Sequence, residues 1–319
     1  MDYTIVYLTN REEPLLHWTV ESLGLQIPES ERGNVQIVVV DKFAEDEGRR
    51  GWAKAQLESG LKGCDFVHTP AKPNVWSGPC RLTSEDYFAP SNYRNTGILL
   101  AKAPVIAFLD DLSVVCPGWW DHIKQVHDSQ EVILGTYEKH RHMYVEGGVL
   151  VYSDPHTVSV DSRRSTALMR SSDRINPISC SGSWMYGCSF ACPTEALLQS
   201  NGFDEDCDSM GSEDYITGMI MEQKGWNFKF CPGMKTIESD THHEFGEVAT
   251  RVIKPMGDTD ASYVILNWVK QNGRDKCAFY SNDHLTLRDA REKVLSTGIL
   301  PECSIPEHDW RDGTPLRNM

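Results

Sequence analysis

Two pairs of adjacent acidic residues have the types and positions best suited to chemistry. Asp110 and Asp111 directly follow the apolar run of residues 103–109. Neighbouring carboxylates repel each other, and a divalent cation or a pair of bound hydroxyl groups relieves that repulsion. A water-exposed turn between a strand and a loop also tolerates two such acids. On this motif alone, a ligand site and a simple turn therefore both stay open.

The second pair, Glu213 and Asp214, begins a predicted helix. Ser212 is a suitable N-cap, and Ile216 and Ile220 recur on one helical face. A helix N-terminus favours an ionised carboxylate, and the ionised form is the one that accepts a proton from a hydroxyl group. Acidic first turns also stabilise helices that have no catalytic role. The pair by itself is therefore compatible with a general base or with a helix terminus.

These acids follow apolar segments that predict the strands of a sheet. Residues 3–8 and 35–40 predict two strands separated by a helical pattern, and residues 104–109 predict a further buried strand. This β-α-β order is typical of a parallel α/β sheet, whose ligands bind at the carboxyl ends of the strands. Asp41 and Asp110 stand at two such ends. The sequence therefore predicts an α/β fold with a mostly parallel central sheet flanked by helices.

Composition excludes some function classes and sets the expected environment. The chain has 46 acidic and 31 basic residues and a formal net charge of -15, which disfavours polyanion binding across the whole surface. Its 10 cysteines form no CxxC pair, which argues against a zinc site and for reduced thiols. No apolar stretch reaches the roughly 18 to 20 residues of a transmembrane helix. We therefore expect an unanchored cytoplasmic protein.

Several short motifs follow one another along the chain in a characteristic order. They are residues 5–12, Asp41, residues 94–97, residues 108–111, residues 202–205 and residues 211–214. Their order and rough spacing extend to about residue 245, which is more specific than any single motif. In this order they resemble the motifs of the family 2-like glycosyltransferases with the GT-A fold.

The resemblance implies a GT-A domain over residues 1–245, a Rossmann-like fold with a smaller acceptor-side subregion. Within it, residues 1–112 would form the nucleotide-sugar half and residues 113–245 the acceptor half. Residues 246–319 would form a C-terminal extension that packs on or near the active site.

The resemblance also implies a nucleoside-diphosphate sugar as donor. Asp41 has an alternative role as a helix cap, and Arg94 has one in an ion pair on a helix surface. The candidate donor-binding residues are Thr9, Asn10, Glu13, Asp41, Arg94, Asn95 and Asp110.

A divalent cation, Mn²⁺ or Mg²⁺, is the cofactor that the resemblance implies. Asp111 and Asp110 would hold it, with a further contact from His242. Such ions bind one or two protein carboxylates together with substrate phosphates. Leu112 stands where the commonest form of the family motif has another acid, so a metal-independent site is the alternative.

Asp214, with Glu213 beside it, corresponds to the acids on the acceptor side of the family. The resemblance implies an inverting transfer in which Asp214 removes the proton of the acceptor hydroxyl. Saccharide, protein, lipid headgroup and nucleic-acid base all remain possible acceptors. One alternative is a noncatalytic nucleotide-sugar or carbohydrate-binding module of the same fold. A nucleotidyltransferase is a third hypothesis, disfavoured because residues 9–13 contain no glycine and two acids.

Overall fold

Twelve strands and seven helices make up the described parts of the chain. The computed structural model describes residues 1–76, 88–153, 159–163, 177–208, 211–240 and 274–303. The strands are β1 (Tyr3–Thr9), β2 (Val35–Asp41), β3 (Asp65–Thr69), β4 (Val105–Asp110), β5 (Ser113–Val115), β6 (Val132–His140), β7 (Met143–Glu146), β8 (Val149–Ser153), β9 (Ser159–Val160), β10 (Ile178–Cys180), β11 (Ser189–Pro193) and β12 (Phe228–Ser239). The helices are α1 (Leu16–Gln26), α2 (Glu47–Gly60), α3 (Pro90–Leu100), α4 (Trp119–Ser129), α5 (Thr194–Ser200), α6 (Glu213–Gln223) and α7 (Leu287–Thr297).

One large sheet organises the molecule. Its strand order is β10-β12-β6-β11-β4-β1-β2-β3, with β5 also paired to β12 and β9 to β6. β1 is parallel to both β2 and β4, and β2 is parallel to β3. β11 is antiparallel to its neighbours β4 and β6, whereas β6 and β12 are parallel to each other. The predicted α/β fold with a mostly parallel central sheet is confirmed.

The inner strands are apolar along their whole length because both of their faces are covered. Alternate side chains point to opposite faces of a strand. Val6, Val38 and Phe108 belong to a buried cluster that includes α3 and α7. Ile5 and Leu109 belong to a second cluster that includes α1 and α4. Helices on both faces of a sheet therefore explain the continuous apolar runs of the sequence.

The strand ends that carry polar residues meet at one edge of the sheet. Thr9 is paired with Asp41, and Leu8 is paired with Asp110. On the other side of β4, the sheet returns towards the same place, because β12 also pairs with β5, which lies just after β4. The ends of β1, β4 and β12 therefore surround a common space.

The described C-terminal residues pack beside the helix that leads to β4. In residues 274–303, α7 contacts α3 and α5. Arg274 forms ion pairs with Asp204 and Asp206. The predicted domain boundary at residue 245 lies outside the described residues.

The helices and cysteines of the described chain add two facts. None of these helices combines the length and the apolar character that crossing a bilayer requires. The nine cysteines that the structure describes are all free thiols.

Candidate functional site

A cavity of about 300 Å³ opens where the ends of β1, β4 and β12 meet. It lies at the carboxyl end of the central parallel strands, where α/β sheets bind ligands. Among the residues predicted from the sequence, those that line it are Thr9, Asn10, Arg94, Asp110, Asp111, Glu213 and Asp214. Seven predicted residues from four separate segments therefore meet in one place.

Arg94 joins the two acidic pairs. Its Nη1 atom donates to Glu213 Oε1 over 2.9 Å, and its Nη2 atom donates to Asp110 Oδ1 over 2.8 Å. The side chain is 3% exposed. Burial opposes its charge, but Asp110, Glu213 and Asp214 outweigh burial and raise the pKa of Arg94. Arg94 is therefore a permanent cation that links the end of β4 to the start of α6.

Gly187 provides the space that this guanidinium occupies. A Cβ atom at Gly187 would lie 2.4 Å from Cζ of Arg94. The guanidinium carbon also lies 5.4 Å from the centre of the Phe203 ring. The loop before β11 and the Phe203 ring thus fix the position of Arg94 between the acids.

Asp110 faces the cavity. Its side chain is 33% exposed, and its protein ion pair is with Arg94. Enough of the carboxylate is therefore open for it to contact a ligand or a metal ion.

Asp111 has different surroundings, although it is the next residue. Its oxygens accept hydrogen bonds from the hydroxyl groups of Tyr7 and Thr9 and from the backbone N–H groups of Leu15 and Leu112. Its side chain is 9% exposed. Burial raises the pKa of Asp111. Asp110 is therefore the more open of the two carboxylates, and Asp111 holds the loop after β1.

Among the predicted donor residues, Thr9 and Asn10 line the cavity beside Asp111. Glu13 lies elsewhere, in a second depression of about 660 Å³ lined also by Phe43, Arg49 and Trp52. The loop after β1 therefore presents its first residues to the cavity and its later residues to the outer surface.

Asp41 is enclosed by protein groups. It is 1% exposed, and its Oδ2 atom lies 2.8 Å from Nε of Arg49 and 3.0 Å from Nε2 of His68. Burial opposes its ionisation, but the hydrogen bonds from His68 and Arg49 lower the pKa of Asp41. Arg49 also donates to the carbonyl oxygens of Arg11 and Glu12. Asp41 therefore joins the ends of β1 and β2 and does not line the cavity.

Asn95 also points away from the cavity. Its amide nitrogen donates to Glu205 Oε1 over 2.8 Å, and its amide oxygen accepts from the Phe203 backbone N–H over 2.8 Å. It is fully buried. Asn95 therefore fixes the turn at residues 203–205, under Arg94. The remaining predicted ligand, His242, lies outside the described residues.

Asp214 lies at the wall of the cavity, at the start of α6. Its Oδ2 atom accepts from the Gly187 backbone N–H over 3.0 Å, and its Oδ1 atom accepts from that of Tyr215 over 2.7 Å. Burial raises the pKa of Asp214, and burial together with Asp214 raises the pKa of Glu213. Ser212 differs from the expected N-cap, since its φ is 73° and its side chain makes no capping bond. The backbone holds Asp214 in place, whereas Glu213 is bound to Arg94.

The cavity is also lined by residues that the sequence analysis did not identify. Lys139, Cys188 and Glu238 line the cavity. Burial raises the pKa of Glu238 to about 7. The only signal in the sequence was an acid beyond Pro232 and Gly233, where the apolar strand pattern is interrupted.

The cavity suits a divalent cation that takes most of its ligands from a substrate. In the described part of the chain, no group of three or more His, Cys, Asp or Glu side chains is placed to hold a metal ion. Asp110 supplies an open carboxylate, and Mg²⁺ or Mn²⁺ can bind one protein carboxylate together with phosphate oxygens. The residues present therefore fit the implied ion as a partner of a bound diphosphate.

Comparison with solved structures decides the fold. S. aureus TarS 1-349 in complex with UDP-GlcNAc is 13% identical, with a TM-score of 0.53 over 86% of this chain and 68% of that chain. GalNAc-T7 with UDP, GalNAc and Mn²⁺ is 15% identical, with a TM-score of 0.52 over 84% of this chain and 48% of that chain. Both are GT-A glycosyltransferases. The chain has the GT-A fold.

The likeness to these solved structures covers most of this chain at low sequence identity. Another structure of TarS 1-349 gives a TM-score of 0.50 at 13% identity and covers 75% of this chain, which spans 60% of that one. Neither the family models nor the curated proteins compared with the sequence give a match. At these sequence identities the structural likeness establishes the GT-A fold and no more.

Proposed function

We propose that this protein is a glycosyltransferase that moves a sugar from a nucleoside-diphosphate donor to an acceptor hydroxyl. The observation that carries the proposal is that Asp110 and Asp214 line one cavity at the ends of the GT-A strands, with Arg94 between their segments. The structures with the same fold include complexes with UDP, with UDP-GlcNAc, and with UDP, GalNAc and Mn²⁺.

The donor would lie across the cavity from β1 to β4. Thr9 and Asn10 would contact the nucleotide, and the diphosphate of the donor would then lie near Asp110. When bound, a divalent ion held by Asp110 and the diphosphate would supply positive charge opposite the departing nucleoside diphosphate. Arg94 would hold the Asp110 carboxylate in position through their ion pair.

Asp214 would act as the general base. As the acceptor oxygen forms its bond to the anomeric carbon, the bond from that carbon to the diphosphate breaks, and the acceptor proton passes to Asp214. Attack from the face opposite the leaving group inverts the anomeric centre. The two backbone N–H groups hold the carboxylate without neutralising it. Glu213 would position Arg94, since its carboxylate is bound to that guanidinium.

Asp214→Asn tests this proposal because an amide keeps the shape of the side chain but cannot take the proton. We expect kcat for donor turnover to fall by about 10² to 10⁴, with the donor Kd within about twofold. Sugar-nucleotide hydrolysis with Mn²⁺ measures the rate, and calorimetry measures binding. Asp128→Asn is the control, because Asp128 is 87% exposed on α4.

Three results would contradict the proposal. If Asp214→Asn turned over the donor at the wild-type rate, Asp214 would not be the general base. Binding of a sugar nucleotide without turnover by the wild type would favour a noncatalytic module. Release of pyrophosphate would favour a nucleotidyltransferase.

A further inference from the structure

Glu238 is a buried acid in the cavity that the proposed reaction does not use. Its side chain is 10% exposed, and the residue lies at the end of β12. Its Oε1 atom is buried and has no hydrogen-bond partner among the described residues. Its Oε2 atom lies 3.6 Å from the ammonium of Lys139, its neighbour in register on β6. Buried carboxylate oxygens are normally hydrogen-bonded, so a ligand is a natural partner for this one.

The sheet places Glu238 across Asp110 from the nucleotide side of the cavity. β1, which carries Thr9, is on one side of β4, whereas β11, β6 and β12 follow on the other. Glu238 is paired with Ser113 on β5, and the next backbone N–H donates to the carbonyl oxygen of Leu112 over 3.1 Å. A donor with its nucleotide at Thr9 and its diphosphate at Asp110 would therefore extend its sugar towards Glu238.

The surroundings of Glu238 favour a hydroxyl group over a metal ion. The Lys139 ammonium beside its carboxylate would repel a divalent cation placed there. A sugar hydroxyl is neutral and can donate a hydrogen bond to the unpartnered oxygen. The Cys188 thiol lies within reach of the Glu238 carboxyl group, but a thiol is only a weak hydrogen-bond donor. A hydroxyl group of a sugar ring would therefore supply the hydrogen-bond donor that the Glu238 oxygen lacks.

We propose that Glu238 binds a hydroxyl group of the sugar on the donor and contributes to the selection of that sugar. The proposal rests on the proposed glycosyltransferase function. Glu238 would bind the substrate from the β12 side of the cavity, whereas Thr9 lies on the β1 side of Asp110.

The test compares the affinities of a free nucleotide and its sugar conjugate. Calorimetry with Mn²⁺ would use UDP, GDP, dTDP and ADP and their glucose and N-acetylhexosamine conjugates. We expect Glu238→Ala to weaken binding of the preferred conjugate by about tenfold or more, while the parent nucleotide binds as to the wild type. Glu238→Gln should show a smaller loss and a changed ranking of sugars.

Glu138→Gln is the matched control. Its side chain is 12% exposed, against 10% for Glu238, and it pairs with Lys235 outside the cavity. It should bind every probe as the wild type does. If Glu238→Ala does not fold, as judged by its thermal transition, Glu238→Gln provides the comparison.

The outcomes separate this inference from the proposed function. Equal losses for nucleotide and conjugate in the folded Glu238 variants would overturn the inference, because the residue would then serve the nucleotide or the ion. Unchanged affinity and unchanged ranking in those variants would also overturn it. A wild type that binds no member of the set would instead overturn the proposed function, and the inference with it.

Discussion

Asp110 and Asp111 show how two adjacent carboxylates can take separate roles. Asp110 is the last residue of β4, and Asp111 begins the turn that follows it. Asp110 faces the cavity and Arg94, whereas Asp111 faces the loop after β1 and accepts hydrogen bonds from Tyr7 and Thr9. One acid is available to a ligand, and the other fixes the loop that would contact the nucleotide.

Two isosteric substitutions separate these roles. Asp110→Asn should weaken Mn²⁺-dependent nucleotide binding by about tenfold or more, because a charged contact is lost at an open position. Asp111→Asn should lower the free energy of unfolding by about 1 to 3 kcal/mol, because buried hydrogen bonds are lost. Calorimetry with and without Mn²⁺, and urea denaturation, measure the two effects. If Asp111→Asn weakened Mn²⁺-dependent binding while Asp110→Asn lowered only the stability, Asp111 would be the metal ligand.

Residue types and order were enough to predict that Arg94, Asp110 and Asp214 belong to one site. They were not enough to predict which neighbour faces it. Successive residues of a helix point about 100° apart, so Arg94 turns to the cavity while Asn95 turns to the residue 203–205 turn. Asp41 is enclosed by Arg49 from α2, a contact that no motif spacing specifies.

At the scale of elements, the loop before β11 determines where Arg94 can lie. Gly187 leaves room for the guanidinium, and its backbone N–H binds Asp214. One residue thus contacts both the cation and the proposed base. Any side chain at this position would displace the guanidinium of Arg94.

Gly187→Ala tests this packing. The added Cβ atom would lie 2.4 Å from Arg94 Cζ, so the guanidinium and the acids bound to it must shift. We expect donor turnover to fall by roughly 10²-fold, as for displacements of about 1 Å in other active sites. Gly51→Ala is the control, because Gly51 is in α2 and no atom of the described residues lies within 4 Å of the added Cβ atom. Equal turnover by the two variants would contradict the role of Gly187.

The length of β12 explains why sequence analysis missed Glu238. The apolar pattern of residues 226–230 predicts a short strand that ends before Pro232 and Gly233, because these residue types normally end one. In the structure, a shift of register between Cys231 and Lys235 carries the strand past that interruption to Ser239. Pairing with β6 and β5, which a local pattern cannot show, supports the second half.

At the scale of the whole molecule, a buried ion pair connects three distant segments. Lys72 donates to Glu205 Oε2 over 2.9 Å and to the Tyr280 carbonyl oxygen over 3.0 Å. Both side chains of the ion pair are 0% exposed. Glu205 in turn binds Asn95 of α3. The described C-terminal residues are therefore tied to the helix that carries Arg94.

Lys72→Met should destabilise the protein by about 3 to 5 kcal/mol, because it leaves the Glu205 carboxylate buried without its cation. Urea denaturation measures the loss. Lys293→Met removes an ion pair with Asp283 in which both side chains are more than half exposed, and it should cost less than about 1 kcal/mol. Similar losses in the two variants would show that the buried pair contributes no more than a surface pair.

The continuity of the central sheet limits how the cavity can open. β4 is hydrogen-bonded to β1 on one side and to β11 on the other, and β12 pairs with both β6 and β5. A hinge between the nucleotide side and the acceptor side would have to break these ladders. Rigid-body closure of two lobes, as in hinged binding proteins, is therefore not available to this architecture. Any change in the width of the cavity would therefore come from side chains and loops above a fixed sheet.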